Sequence, residues 1–240
     1  MTDAAWIATH DAAAFGPHGL ASLATTFWLS PAPTECPAVP GEWRAHDGVA
    51  VGLIDGEEVR LAPGTEHSHG PVVLRAFARE GALAVRLLDP SRAARAGLGA
   101  IERFAWDPGA RIVGRFTAVP SAPTPTLAVD GHRSTTIYDG VVAFEVAGAA
   151  LELLVHRDGD ELFGAFSDAT AETEPYNFRM IRLDGPRADG SVTVDLNRAY
   201  LPPSRFSPHF VCVTPPPGNR WPVAVRAGER RIVPRDADSL

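Results

Sequence analysis

From Gly48 onward the chain alternates short apolar-rich runs with turn residues, the pattern of short strands. GVAVGLID and EEVRL flank Asp55-Gly56, and VVLRAFAR and ALAVRLL flank Glu80-Gly81; both joints have hairpin chemistry. In ALAVRLL the period of two puts Leu83, Val85 and Leu87 on one face. RIVGRFTAV is a further strand, and VVAFEV, ALELLVH and ELFGAF read as a meander with joints at Ala147-Gly148 and Arg157–Asp160. FRMIRL, SVTVDL and VAVRAGERRIV complete about a dozen strands, which predicts an all-β sandwich or barrel. Before them, residues 3–14 predict a short helix, begun at Asp3 and stopped by Gly16-Pro17. SRAARAG, after Asp89-Pro90, predicts one or two helical turns. The apolar run 19–29 fits either element type. The proline-rich stretches 31–41 and 120–126 predict loops.

These breaks suggest an N-terminal helix and apolar segment over 1–30, a β-rich half over 42–119 and a second over 127–240, with one continuous domain as the alternative. The run Asp195–Pro222 stands apart. It carries seven prolines, four aromatics and two Asn-Arg pairs. Proline fixes φ and removes a donor, which excludes a helix or a central strand. Disordered linkers are poor in Tyr, Phe and Trp. An ordered, extended strip packed across the β body is therefore expected, with Tyr200, Phe206, Phe210 and Trp221 buried.

Composition narrows the chemistry. All 22 basic residues are arginine, which rules out Schiff-base catalysis by lysine and a Walker-type phosphate loop. A net charge of −7 argues against a nucleic-acid partner. The N-terminus lacks the basic start and apolar run of a secretory signal, and no stretch approaches a membrane span, so a cytoplasmic protein is expected. Two cysteines, Cys36 and Cys212, do not make a disulfide framework. The sequence specifies no cofactor and no oligomeric state.

The best candidate cluster for chemistry is Asp168, Thr170, Arg179, Asp195, Asn197, Tyr200, His209 and Asn219. Asp168 and Thr170 stand two apart, as do Asp195 and Asn197, so on strands each pair would share a face. Arg179 could fork onto a carboxylate or phosphate. The same residue types also cap loops and satisfy buried backbone, so a structural network is the competing reading. His67 and His69 are the weak candidates for a metal, again two apart, with no third ligand specified by a motif. No G-x-S-x-G elbow is present. Cys212, between valines, reads as a buried thiol.

Several blocks resemble the bacterial and archaeal family known as domain of unknown function 1684. They are GLASLATTFWL, ALAVRLLDPSRAARAGLGAIERFAWDP, FSDAT and, most strongly, DLNRAYLPP followed by PPPGNRWP. The resemblance implies a β-rich domain and no particular activity. This chain departs from the family pattern at EPYNFRM, which lacks the usual glycines, with Arg179 matching the family's arginine. It departs also at Leu201, where asparagine is usual, and at Ser204, where cysteine is usual. Any joint role of two cysteines there is lost. The leading expectation is a pocket for a small polar or anionic molecule in the C-terminal half. In it Asp195 and Asn197 orient the ligand, Arg179 holds its charge, and residues 200–210 form a wall. The alternatives are a cofactor-independent acid–base enzyme of hydrolase or isomerase type, using Asp168, Asp195, Tyr200 and His209, and a protein-interaction module.

Overall fold

The computed structural model describes residues 3–120 and 122–234. It is an all-β protein with one short N-terminal helix, α1 (Asp3–Phe15), and a single later turn, α2 (Arg92–Arg95). The Gly16 N–H closes α1 onto the Ala12 carbonyl at 2.8 Å, and Pro17 prevents its continuation. No helix is long and apolar enough to cross a membrane among the described residues. The described residues divide into two compact units, one of 3–100 with Phe206–Phe210 and Pro234 and one within Ile101–Arg205 with Val211–Val233.

The first unit holds β1 (Leu23–Trp28), β2 (Thr34–Cys36), β3 (Val39–His46), β4 (Val49–Ile54), β5 (Glu57–Leu61), β6 (Glu66–His69), β7 (Val72–Arg79) and β8 (Ala82–Leu88). They form two four-stranded sheets, in the orders β2-β3-β4-β5 and β1-β8-β7-β6. Trp43, Ile54 and Leu61 from one sheet meet Leu74, Val85 and Leu87 from the other. Leu83, Val85 and Leu87 are all buried, as the period of two predicts. Trp43 is fully buried opposite Gly52, where a Cβ would stand 2.7 Å from the indole ring. At the β4–β5 joint Asp55 and Gly56 both have positive φ, the type I′ condition that suits a tight hairpin. The ambiguous run 19–29 resolves into a 3₁₀ turn and β1. The 31–41 stretch is not all loop, because Thr34–Cys36 pairs with β3 as an edge strand where proline is tolerated. Residues 206–210 complete this unit. Arg92 Nη1 donates to the carbonyls of Ala21 and Phe206, each at 2.8 Å, and Phe210 packs against Leu23, Val73 and Leu88.

The second unit begins with β9 (Ala100–Arg103) and continues through β10 (Arg111–Ala118), β11 (Pro123–Leu127), β12 (Arg133–Ile137), β13 (Gly140–Val146), β14 (Ala149–Asp158), β15 (Glu161–Phe166), β16 (Arg179–Asp184), β17 (Ser191–Asp195) and β18 (Glu229–Val233). Its main sheet has the order β16-β15-β14-β13-β10-β17. The consecutive strands β16 and β17 thus lie at opposite edges. In a flat sheet those edges would be about 24 Å apart, further than the short link 185–190 reaches once it has turned at Gly190. The sheet therefore curls, and Ile181 and Leu183 share one core with Val192 and Val194. The loop expected at 120–126 is partly strand. Pro123 and Pro125 stand two apart, so both can turn the missing N–H outward while Thr124 and Thr126 serve the β12 ladder. The strand expected over VAVRAGERRIV is confined to β18, because the carbonyls of residues 225 and 227 bond to a side chain instead of a ladder.

Candidate functional site

Asp168 and Thr170 are not strand neighbours. Asp168 caps a 3₁₀ turn, Ala169–Glu172, accepting from the Thr170 N–H at 2.8 Å and the Thr170 hydroxyl at 2.5 Å. Its other oxygen meets Arg179 Nη2 at 2.5 Å. Arg179 is fully buried. Nη2 also donates to the Val225 carbonyl at 2.7 Å and Nη1 to the Ala227 carbonyl, while the guanidinium plane lies near the Tyr176 and Phe166 rings. Both terminal nitrogens of the guanidinium expected to hold a ligand's charge are thus engaged by protein groups, while its buried Nε has no partner among the described residues. Arg179 clamps segment 225–229 onto the end of β16.

Asp195 likewise caps a 3₁₀ turn, Leu196–Arg198, because a carboxylate two residues ahead of a free N–H satisfies it locally. Asn197 bridges to another loop, accepting from the Asp107 N–H at 3.0 Å and donating to the Asp107 carbonyl at 2.8 Å. Asn219 does the same between strands. β14 and β15 pair only near their hairpin, at His156–Asp158 with Glu161–Phe163. Beyond that they diverge, and Asn219 fills the gap. It accepts from Leu154 N–H at 2.7 Å and donates to the carbonyls of Leu154 and Ala165 at 3.0 and 2.8 Å. Tyr200 pairs its backbone with Met180, and burial pushes its phenol up to about 12. His209 falls in the first unit, where its carbonyl accepts from the Thr26 hydroxyl. Burial and nearby Arg92 hold its imidazole below the ordinary range. The structure therefore spreads the eight candidates over separate networks. Asp168, Thr170 and Arg179 come together; Asp195 and Asn197 form a second group.

His67 and His69 share a face of β6, both part-buried. Among the described residues no group of three His, Cys, Asp or Glu side chains is placed to hold a metal ion. Cys212 is half-buried rather than enclosed, because the strip holding it lies against the edge of β11 without crossing the core.

A cavity of about 210 Å³ lies on the face of the main sheet opposite the core. Phe163 and Ala165 of β15, Met180 of β16 and His156 of β14 form its floor. Its roof comes from Thr136 and Tyr138 at the end of the β11–β12 hairpin and from Val213, Thr214 and Pro216 of the proline strip. The roof is stitched together: Thr214 donates through N–H and hydroxyl to the Leu127 carbonyl, each at 2.8 Å, and the Val129 N–H bonds to the Cys212 carbonyl. Tyr138 is positioned by its neighbour Asp139, whose N–H bonds to Val155 and whose carboxylate accepts from the Arg157 N–H. The His156 ring lies 4.9 Å from that of Phe163. Burial holds the His156 imidazole below the ordinary range, against the opposing pull of Asp158 and Asp139. A second hollow, about 330 Å³, lies beside Asp107, Leu196 and Arg226, but alanine lines much of it and no aromatic ring faces it.

None of these cavity residues stands in the polar cluster that the sequence singles out. The signal for them was nonetheless present. ELFGAF is apolar at nearly every position, so both faces of β15 must be covered, whereas a solvated outer face would alternate with polar residues.

The family described as "Protein of unknown function (DUF1684)" matches residues 97–230. The solution NMR structure of an uncharacterized protein from Haloarcula marismortui is 27% identical, with 59% of this chain and 80% of that chain covered and a TM-score of 0.46. No curated protein matches. With the matched region spanning more than half of the 240 residues, this chain belongs to the DUF1684 family of proteins of unknown function.

Proposed function

We propose that the C-terminal unit binds a small, largely apolar molecule in the cavity between the outer face of its main sheet and the proline strip. One observation carries this reading: Phe163, Met180, Tyr138, Val213 and Pro216 enclose space that their own packing leaves unfilled. Ligand sites characteristically join apolar walls to a few polar groups, and here those groups come from Thr136, Tyr138 and His156. An anionic ligand draws less support, since Arg179 is consumed by Asp168 and by backbone carbonyls. The acid–base alternative is weakened in the same way by the capping roles of Asp168 and Asp195. Burial of Phe206 and Trp221 speaks against the strip as an interaction surface. A cytoplasmic setting fits two cysteines that form no bridge to each other.

A thermal-shift and NMR screen of apolar compounds against the full chain tests the proposal, with Ala165→Leu as the control that fills the floor. Binding compounds should raise the melting temperature of the native chain and not of the variant. Silence across the panel, or equal shifts in both proteins, would remove the proposal.

A further inference from the structure

We infer that the cavity is built for an uncharged single-ring aromatic molecule bearing a hydroxyl group, recognised by Tyr138 and His156. This rests on the binding reading above and narrows it to a chemical class.

Size comes first. A dry apolar cavity of about 150 Å³ is enough for benzene, so about 210 Å³ takes a single substituted ring and little more. Shape and surface come next. Phe163 and the tilted His156 ring give an aromatic floor, and Met180 adds a polarizable thioether beside it. Aromatic ligands gain from ring edges and faces and from sulfur contacts beyond simple area burial.

Two polar groups decide the class. Tyr138 is 7% exposed, and its hydroxyl forms no hydrogen bond among the described residues. The His156 imidazole likewise forms none among the described residues, although it is half-buried. Neither residue has a polar atom among the fully buried ones that lack a partner, so both present unpaired polar atoms to the open space of the cavity, where a ligand can meet them. A ligand hydroxyl is the smallest group able to serve both, since it accepts from one O–H and donates to one imidazole nitrogen. A carboxylate can only accept, and it would need a cation. Arg182, the ladder partner of Phe163 in the floor, is engaged by Asp158 at 2.7 Å and Glu161 at 3.1 Å, in front of the Phe163 ring. Burial keeps His156 neutral and therefore able to accept.

The test uses the full chain with phenol, toluene and benzoate as probes, read by isothermal titration and by shifts of the Tyr138 and His156 resonances. Phenol should bind at least roughly tenfold more tightly than toluene, the net worth of its two hydrogen bonds to Tyr138 and His156. Benzoate should not bind. Tyr138→Phe, which keeps the ring and the packing, should weaken phenol several-fold, leaving only its hydrogen bond to His156, and leave toluene unchanged. Its melting temperature checks that the variant is folded. If toluene and phenol bind equally and Tyr138→Phe changes neither, the cavity stands as a site and the hydroxyl-ring assignment falls. Tighter binding of benzoate also overturns the assignment. If no probe binds, this inference and the apolar-site reading fall together.

Discussion

Arg179 and Asp168 form an ion pair at 2.5 Å with side chains 0% and 1% exposed, so neither charge reaches water. Such a pair adds little over a well-packed apolar replacement, but removing one partner strands the other charge. Here the arginine also carries the carbonyls of Val225 and Ala227. We expect Asp168→Ala to cost about 3–5 kcal/mol in urea denaturation. Arg179→Met should cost at least as much, because it orphans backbone acceptors as well. A loss below about 1 kcal/mol for both would show that the clamp is dispensable.

Asn219 replaces a missing stretch of ladder between β14 and β15, and an amide is the one group that both accepts from Leu154 N–H and donates to two carbonyls. Asn219→Asp keeps the shape and loses both donors, so we expect it to destabilise by about 2–3 kcal/mol, close to Asn219→Ala. Hydrogen exchange at the Leu154 amide reports the site directly. Unchanged protection in Asn219→Ala would mean that water substitutes for the side chain.

The legible part of this protein is what local periodicity encodes. The hairpins at Asp55-Gly56 and Glu80-Gly81 and the buried Leu83–Val85–Leu87 face follow from turn chemistry and the period of two. The illegible part depends on which strands meet. Nothing local places β10 between β13 and β17, and that placement creates the curl and the outer face on which the cavity lies. Polar residues in a proline-rich segment mark both ligand sites and backbone caps. Asp168, Asp195, Asn197 and Asn219 are read as either until their partners are seen, and each turns out to bond backbone groups.

Truncation tests the strip as a whole. Ending the chain at Ala199 removes Trp221, Val225 and Ala227 from the core of the second unit, and Phe206 and Phe210 from the first. Loss of one large core aromatic costs roughly 3–5 kcal/mol, against a total stability of about 5–15 kcal/mol. We expect no cooperative melt in either unit. A cooperative transition near the full-length temperature would make the strip peripheral and leave the cavity without its roof.

The pH profile of stability should fall on both sides, and the signs follow from burial. His156 and His209 have folded-state affinities for a proton below the ordinary value of 6.5, so the unfolded chain binds more protons as pH drops through that value. Their contribution is complete above about pH 6.5 and is lost progressively as the solution is acidified further. The buried tyrosines act in the opposite sense. Tyr138 and Tyr176 are raised above 10, and Tyr200 to about 12, so the folded chain keeps protons that the unfolded chain releases. That stability is complete below about pH 10 and is lost as pH climbs toward 12. Urea midpoints measured from pH 5 to 11 should describe a plateau between 6.5 and 10. His156→Phe keeps a ring against Phe163 and removes one of the two titrations, so it should make the acid flank shallower, leaving the share of His209, and leave the alkaline flank untouched. An acid flank identical in the variant would assign that slope to other groups, and with it would go the evidence that His156 is held neutral by its surroundings.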